Sequence, residues 1–181
     1  MSAGKSQQAL PHLQRAGTLA PDDAEPFTNL GTAYLLLGRG PEAEKALKRA
    51  VELAPNDART RSDLGTYYLT AGRASEAIVE LNKAIELAPE RATARSNLAY
   101  ALELTGDLKG AEAQARKATQ LDPKLGSAFV NLGTALAKQG RYAEAERCFR
   151  DALAIDATDP RAKVNLAELE ELKRAKAAGK P

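Results

Sequence analysis

The stretch FTNLGTAYLLLGRGPEAEKALKRAVELAP, Phe27 to Pro55, decides the fold. Before Gly38, the residues Phe27, Leu30, Gly31 and Tyr34 recur at three- and four-residue steps. After it, Ala43, Leu47, Ala50 and Leu53 do the same. This spacing predicts two amphipathic helices separated by a glycine break. A step of 34 residues reproduces the pattern along the chain. Gly31 becomes Gly65, Ala99 and Gly133, and Gly38 becomes Gly72, Gly106 and Gly140. Ala43 becomes Ala77, Ala111 and Ala145, and Pro55 becomes Pro89 and Pro123. A fixed period of this length predicts a stacked array of helix pairs.

The run Phe27, Leu30-Gly31, Tyr34, Ala43, Leu47, Ala50 and Pro55 closely resembles the landmarks of the tetratricopeptide repeat (TPR) family, and the match continues through four consecutive repeats without insertion. The resemblance implies an all-α fold: a right-handed α-solenoid of antiparallel helix pairs, the TPR superhelix. Full repeats are expected at 24–57, 58–91, 92–125 and 126–159. The glycine that ends each first helix suits the left-handed backbone of a helix stop. Asn56 or Asp57 and Ser75 are candidate caps. Gly31, Gly65, Ala99 and Gly133 are expected to let the two helices of a repeat approach closely.

The ends break the pattern differently. Ala9, Leu13, Ala16, Leu19 and Pro21 sit one period before Ala43, Leu47, Ala50, Leu53 and Pro55. Residues 1–23 therefore read as a half-repeat with only its second helix, Gln7 to Leu19. Pro11 fits there only in a first turn. A native half-repeat cap and a truncated longer array both explain this start. The second is favoured because an orphan second helix exposes the face its partner should cover. Residues 160–175 read as a polar C-terminal capping helix, with Asp159 as N-cap and Pro160 at its first position. Residues 176–181 read as a frayed tail.

Composition narrows the function. Of 181 residues, 44% are hydrophobic and 28% charged, as in a folded protein rather than a disordered one. Lys and Arg total 26 against 24 Asp and Glu. So balanced a chain implies no nucleic-acid partner. No apolar run reaches the ~18 residues of a membrane span, so no membrane insertion is expected. The N-terminus lacks the apolar core of a signal peptide, and the expected location is the cytoplasm. The single His12 and Cys148 are four periods apart and are not expected to meet, which argues against a Cys–His nucleophile or a metal site. The glycines follow the repeat and form no phosphate loop. Paired acids such as Glu42-Glu44 and Glu144-Glu146 are expected on solvated faces of second helices. No enzyme activity and no cofactor are expected.

What remains is a surface. In TPR proteins the first helices line the concave side and hold extended peptides or helices. By register, that face carries Asn29, Asp63, Asn97, Asn131 and Asn165, then Thr32, Thr66, Tyr100 and Thr134 one turn later, with Arg59 near a helix start. Thr28, Ser62, Ser96 and Val130 are expected to line it one turn earlier. An Asn amide offers a donor and an acceptor, matching a peptide unit; the row is similar to the asparagine ladder of O-linked GlcNAc transferases. The Hsp70/Hsp90-type carboxylate clamp is not expected, because its Lys positions hold Thr28, Ser62, Ser96 and Val130. Arg61 and Arg95 stand where the family prefers bulky apolar residues; stems lying over Ala-rich surface and contact with an acidic partner both explain them, and the first is favoured.

The function these features imply is a non-catalytic protein–protein interaction module, binding a partner peptide or helix in its groove. The alternative is a structural or oligomerisation segment of a longer array attached to another domain. Self-association through the N-terminal half-repeat is a further expectation.

Overall fold

Every capped helix begins where a carboxylate can take up free backbone N–H groups. Asp23 accepts from Glu25 N at 3.0 Å, Asp57 from Arg59 N at 3.1 Å and Thr60 N at 3.3 Å, and Asp159 from Ala162 N at 2.8 Å. The computed structural model describes residues 3–177 and contains only helices there. The first unit, up to Pro89, holds α1 (Ala3–Leu19), α2 (Ala24–Leu36), α3 (Gly40–Leu53), α4 (Ala58–Thr70) and α5 (Ala74–Leu87). The second, from Glu90, holds α6 (Ala92–Leu104), α7 (Leu108–Leu121), α8 (Gly126–Lys138), α9 (Tyr142–Ile155) and α10 (Pro160–Ala177). Of the expected tail, 176–177 continue α10, and 178–181 lie outside the described residues.

The turn between paired helices is set by glycine. Gly38, Gly72, Gly106 and Gly140 have φ of 69°, 72°, 89° and 80°, which a side chain would oppose. At Gly72 the stop is a Schellman motif: Gly72 N–H donates to Leu69 O at 3.1 Å and Arg73 N–H to Tyr68 O at 2.8 Å. Arg73 then opens α5 without a side-chain cap, so Ser75 lies inside that helix rather than capping it. Pro11 also departs from expectation. α1 starts at Ala3, which puts Pro11 in mid-helix. The i−4 carbonyl left without a donor belongs to Gln7, and both residues are exposed, so water can satisfy it.

In the first, second and fourth repeats, a glycine on the first helix faces a larger residue sixteen positions on. A Cβ on Gly65 would stand 2.7 Å from Leu81 Cγ, and one on Gly133 would stand 2.5 Å from Phe149 Cε1. The third repeat solves the same contact with Ala99 and Ala115, both fully buried in the cluster around Leu132, Leu136 and Phe149. Bulk on one helix is matched by its absence on the other, as close packing requires.

In the first unit, the first helices α2 and α4 touch each other. In the second, α8 touches both α6 and α10. Among the described residues, α3 and α5 make no such contact, nor do α7 and α9. The first helices therefore form the inner side of each unit. No helix among the described residues is long and apolar enough to cross a membrane.

Candidate functional site

The inner side of the first unit is stitched by polar contacts. Thr28 and Thr60, both buried, bring their hydroxyls to 3.0 Å, and Thr60 donates to Asp57 at 2.6 Å. Arg59, exposed at the start of α4, donates to Asn29 Oδ1 at 3.2 Å and lies 3.8 Å from Asp63. Thr32 and Thr66 are half-buried and donate to the carbonyls of Thr28 and Ser62, four residues back. Between α2 and α4 lies a depression of about 530 Å³, walled by Thr32, Leu35, Leu36, Asp63, Thr66, Tyr67 and Thr70.

The second unit repeats this shape in the same register. Thr134, Ala137 and Lys138 on α8, with Asn165, Glu168, Leu169 and Leu172 on α10, enclose a depression of about 250 Å³. Each of these seven positions is three periods beyond a wall residue of the first depression. A smaller hollow of about 160 Å³ adjoins it, between Tyr100, Glu103, Asn131 and Arg161. The Arg161 guanidinium lies over the Tyr100 ring at 5.4 Å, and Lys138 pairs with Glu103.

The asparagine row does not behave as one set. Asn29, Asn97 and Asn165 are half-buried, as is Asp63. Asn131 is only 6% exposed. Its amide donates to Ser96 O at 2.8 Å and Ser96 Oγ at 3.1 Å, and accepts from Arg161 at 2.6 Å. The expectation of an open amide is corrected at this position: Arg161, thirty residues on, folds over it. Asn165 donates to Thr134 Oγ1 at 3.1 Å. Thr28, Ser62, Ser96 and Val130 are also corrected, being buried rather than lining a groove.

The arginines at bulky apolar positions are held by this chain itself. Arg61 donates to Pro55 O at 2.5 Å and to Glu80 at 2.7 Å, and Arg95 donates to Gln114 at 2.9 Å. These bonds fix the guanidinium heads, and the Arg61 side chain is largely covered.

The acids of the second helices form a network that the reading of solvated faces missed. Glu44 accepts from Lys48 at 2.7 Å, Arg73 at 2.9 Å and the Tyr67 hydroxyl at 2.8 Å. Those bonds, Lys48's foremost, hold its carboxyl down to about 2. In the second unit, burial works to raise Glu112's carboxyl, but bonds from Gln139, Arg116 and Arg141 outweigh it and lower it. A signal existed: Gly38-Arg39, Gly72-Arg73 and Gly140-Arg141 are each followed by Glu three residues after the Arg. Burial first, and then Asp151, pushes the Cys148 thiol up to about 11, in keeping with its packing beside Phe149 in the buried cluster. Among the described residues, no three His, Cys, Asp or Glu side chains are grouped to hold a metal ion.

Three family models, each described as Tetratricopeptide repeat, match residues 22–90, 62–125 and 126–159. No curated protein matches the sequence. Among solved structures, MamA is 25% identical with a TM-score of 0.73, over 85% of this chain and 90% of that one. A thermophilic TPR protein of Thermus thermophilus is 23% identical with a TM-score of 0.75, over 92% and 91%. YrrB, described as a TPR protein with an unusual peptide-binding site, is 23% identical with a TM-score of 0.70, over 88% and 82%. The likenesses below 25% identity bear on the fold alone.

Proposed function

The chain belongs to the tetratricopeptide repeat family, and from that premise we propose that it is a non-catalytic adaptor that holds a partner's peptide or helix on the inner faces of its first helices. The family and fold are those of protein–protein interaction modules. The observation that carries the finer reading is the recurrence of one depression, at equivalent positions, in both units. Each combines half-buried Thr, Asp or Asn side chains with apolar lining, Leu35 and Tyr67 in one, Leu169 and Leu172 in the other. Polar groups beside apolar lining suit a backbone with alternating side chains. Asn29, Asp63, Asn97, Asn165, Thr32, Thr66, Tyr100, Thr134 and Arg59 are the contact residues of this reading. Asn131 contributes by fixing Arg161.

The test is selection from a displayed random-peptide library, comparing the wild-type chain with one carrying Thr66→Arg and Thr134→Arg. Both residues are half-buried on the walls. The wild type is expected to enrich peptides that the variant binds at least tenfold more weakly, with equal helicity by circular dichroism. Peptides bound equally by both would rule out these walls as the binding face.

A further inference from the structure

Among the described residues, α1 packs on α2 alone, and α10 packs on α8 and α9. α1 stands in the place of a second helix. One face packs on α2: Leu10 and Gly17 are buried, and a Cβ on Gly17 would lie 3.5 Å from the Phe27 ring. Its other face carries Ala9, Leu13 and Ala16. The equivalent residues of α3, Ala43, Leu47 and Ala50, are fully buried, as are those of α5, α7 and α9. In α1 all three remain partly open. α10 stands in the place of a first helix. Its Val164 is 54% exposed, whereas Val130, one period earlier, is fully buried. Its Ala167 is exposed, whereas Gly133 is buried under Phe149.

We propose that α1 of one copy packs against α10 of another, so that two half-repeats make one whole. The contact continues the interface that already joins the two helices of each repeat. Its pairings follow by register. Leu13 meets Ala167 as Leu81 meets Gly65; the pair has one methyl more than that one and bulk similar to Gly133 with Phe149. Lys5 meets Glu170 where Arg73 lies over Tyr68 at 4.5 Å and Arg39 over Tyr34 at 4.8 Å. That exchange turns a cation–ring pair into a pair of opposite charges. α1 carries no acidic residue that could neutralise Lys5 locally. One pairing is unmatched: His12 faces Lys163, where Glu80 faces Arg61.

The contact joins unlike surfaces, so each pair keeps one open α1 and one open α10, and growth continues past the dimer. Sedimentation of the full chain over a range of concentrations is expected to show mass rising beyond the monomer. Leu13→Asp should weaken association at least tenfold, by burying an unpaired charge. Glu170→Lys should weaken it roughly two- to fivefold, and adding Lys5→Glu should restore it. His12→Glu should strengthen it. Glu170 and Lys5 are solvent-accessible, so these variants do not depend on a core change that could unfold the chain. A monomer at every concentration would overturn the proposal and leave these faces to other segments of a longer array. So would failure of the Leu13→Asp chain to bind wild type through its intact α10, because that result marks an α1-to-α1 contact.

Discussion

Arg61 and Glu80 form an ion pair at 2.7 Å, with side chains only 13% and 15% exposed, at positions held by Phe27 and Ala46 one repeat earlier. A large apolar residue over a small one has been exchanged for two groups that satisfy each other. Removing one partner of such a pair costs more than the pair itself contributes, because a shielded charge is left behind. Glu80→Ala should therefore destabilise the chain by about 2–3 kcal/mol. The double variant Arg61→Phe with Glu80→Ala, which copies the first repeat, should recover most of that loss. Thermal unfolding of the three chains decides it. A double variant no better than Glu80→Ala would mean the two positions are not exchangeable as a pair.

The contact sixteen residues apart gives a second expectation. Gly65→Leu should cost roughly 1–3 kcal/mol or more, since even a Cβ there stands 2.7 Å from Leu81. In the third repeat, Ala115→Leu should be destabilising alone. Combined with Ala99→Gly it recreates the Gly–Leu pairing, and its midpoint should rise back toward wild type. Equal melting temperatures for Ala115→Leu with and without Ala99→Gly would separate these two residues.

Acid provides the third. Glu44 has an ordinary carboxyl value near 4.5, lowered in the fold to about 2. The folded state thus holds its charge more tightly than the unfolded chain does. The resulting stability is complete above about pH 4.5 and is lost as the pH falls toward 2. The melting temperature should drop across that window. Glu44→Gln should lower it by roughly 2–6 °C at neutral pH and make the acid slope shallower. An unchanged slope would show that the Lys48, Arg73 and Tyr67 bonds do not bias protonation.

The helix pairs and their glycine stops were legible because they depend on local residues: apolar spacing, a φ only glycine adopts freely, and small residues at one offset. The site was legible in part. Thr32, Asp63, Thr66, Thr134 and Asn165 fall on the two equivalent depressions. The fate of Asn131 was not, because it depends on Arg161 at the start of the next first helix, and a side chain's reach across a helix contact leaves no periodic mark. The Arg61–Glu80 pair was hidden for the same reason: each residue looks anomalous until the other is placed beside it.

The matched bulk of Gly65 with Leu81, Ala99 with Ala115 and Gly133 with Phe149 has a genetic corollary. A crossover between the third and fourth repeats that joined the first helix of one to the second helix of the other would place Ala99 under Phe149, or Gly133 over Ala115, and yield a collision or a hole. Duplication or loss of whole units leaves every couple intact. Chains of this kind can lengthen and shorten by units of 34 codons without disturbing a couple, while an exchange that cuts the third or fourth couple in two carries a packing cost.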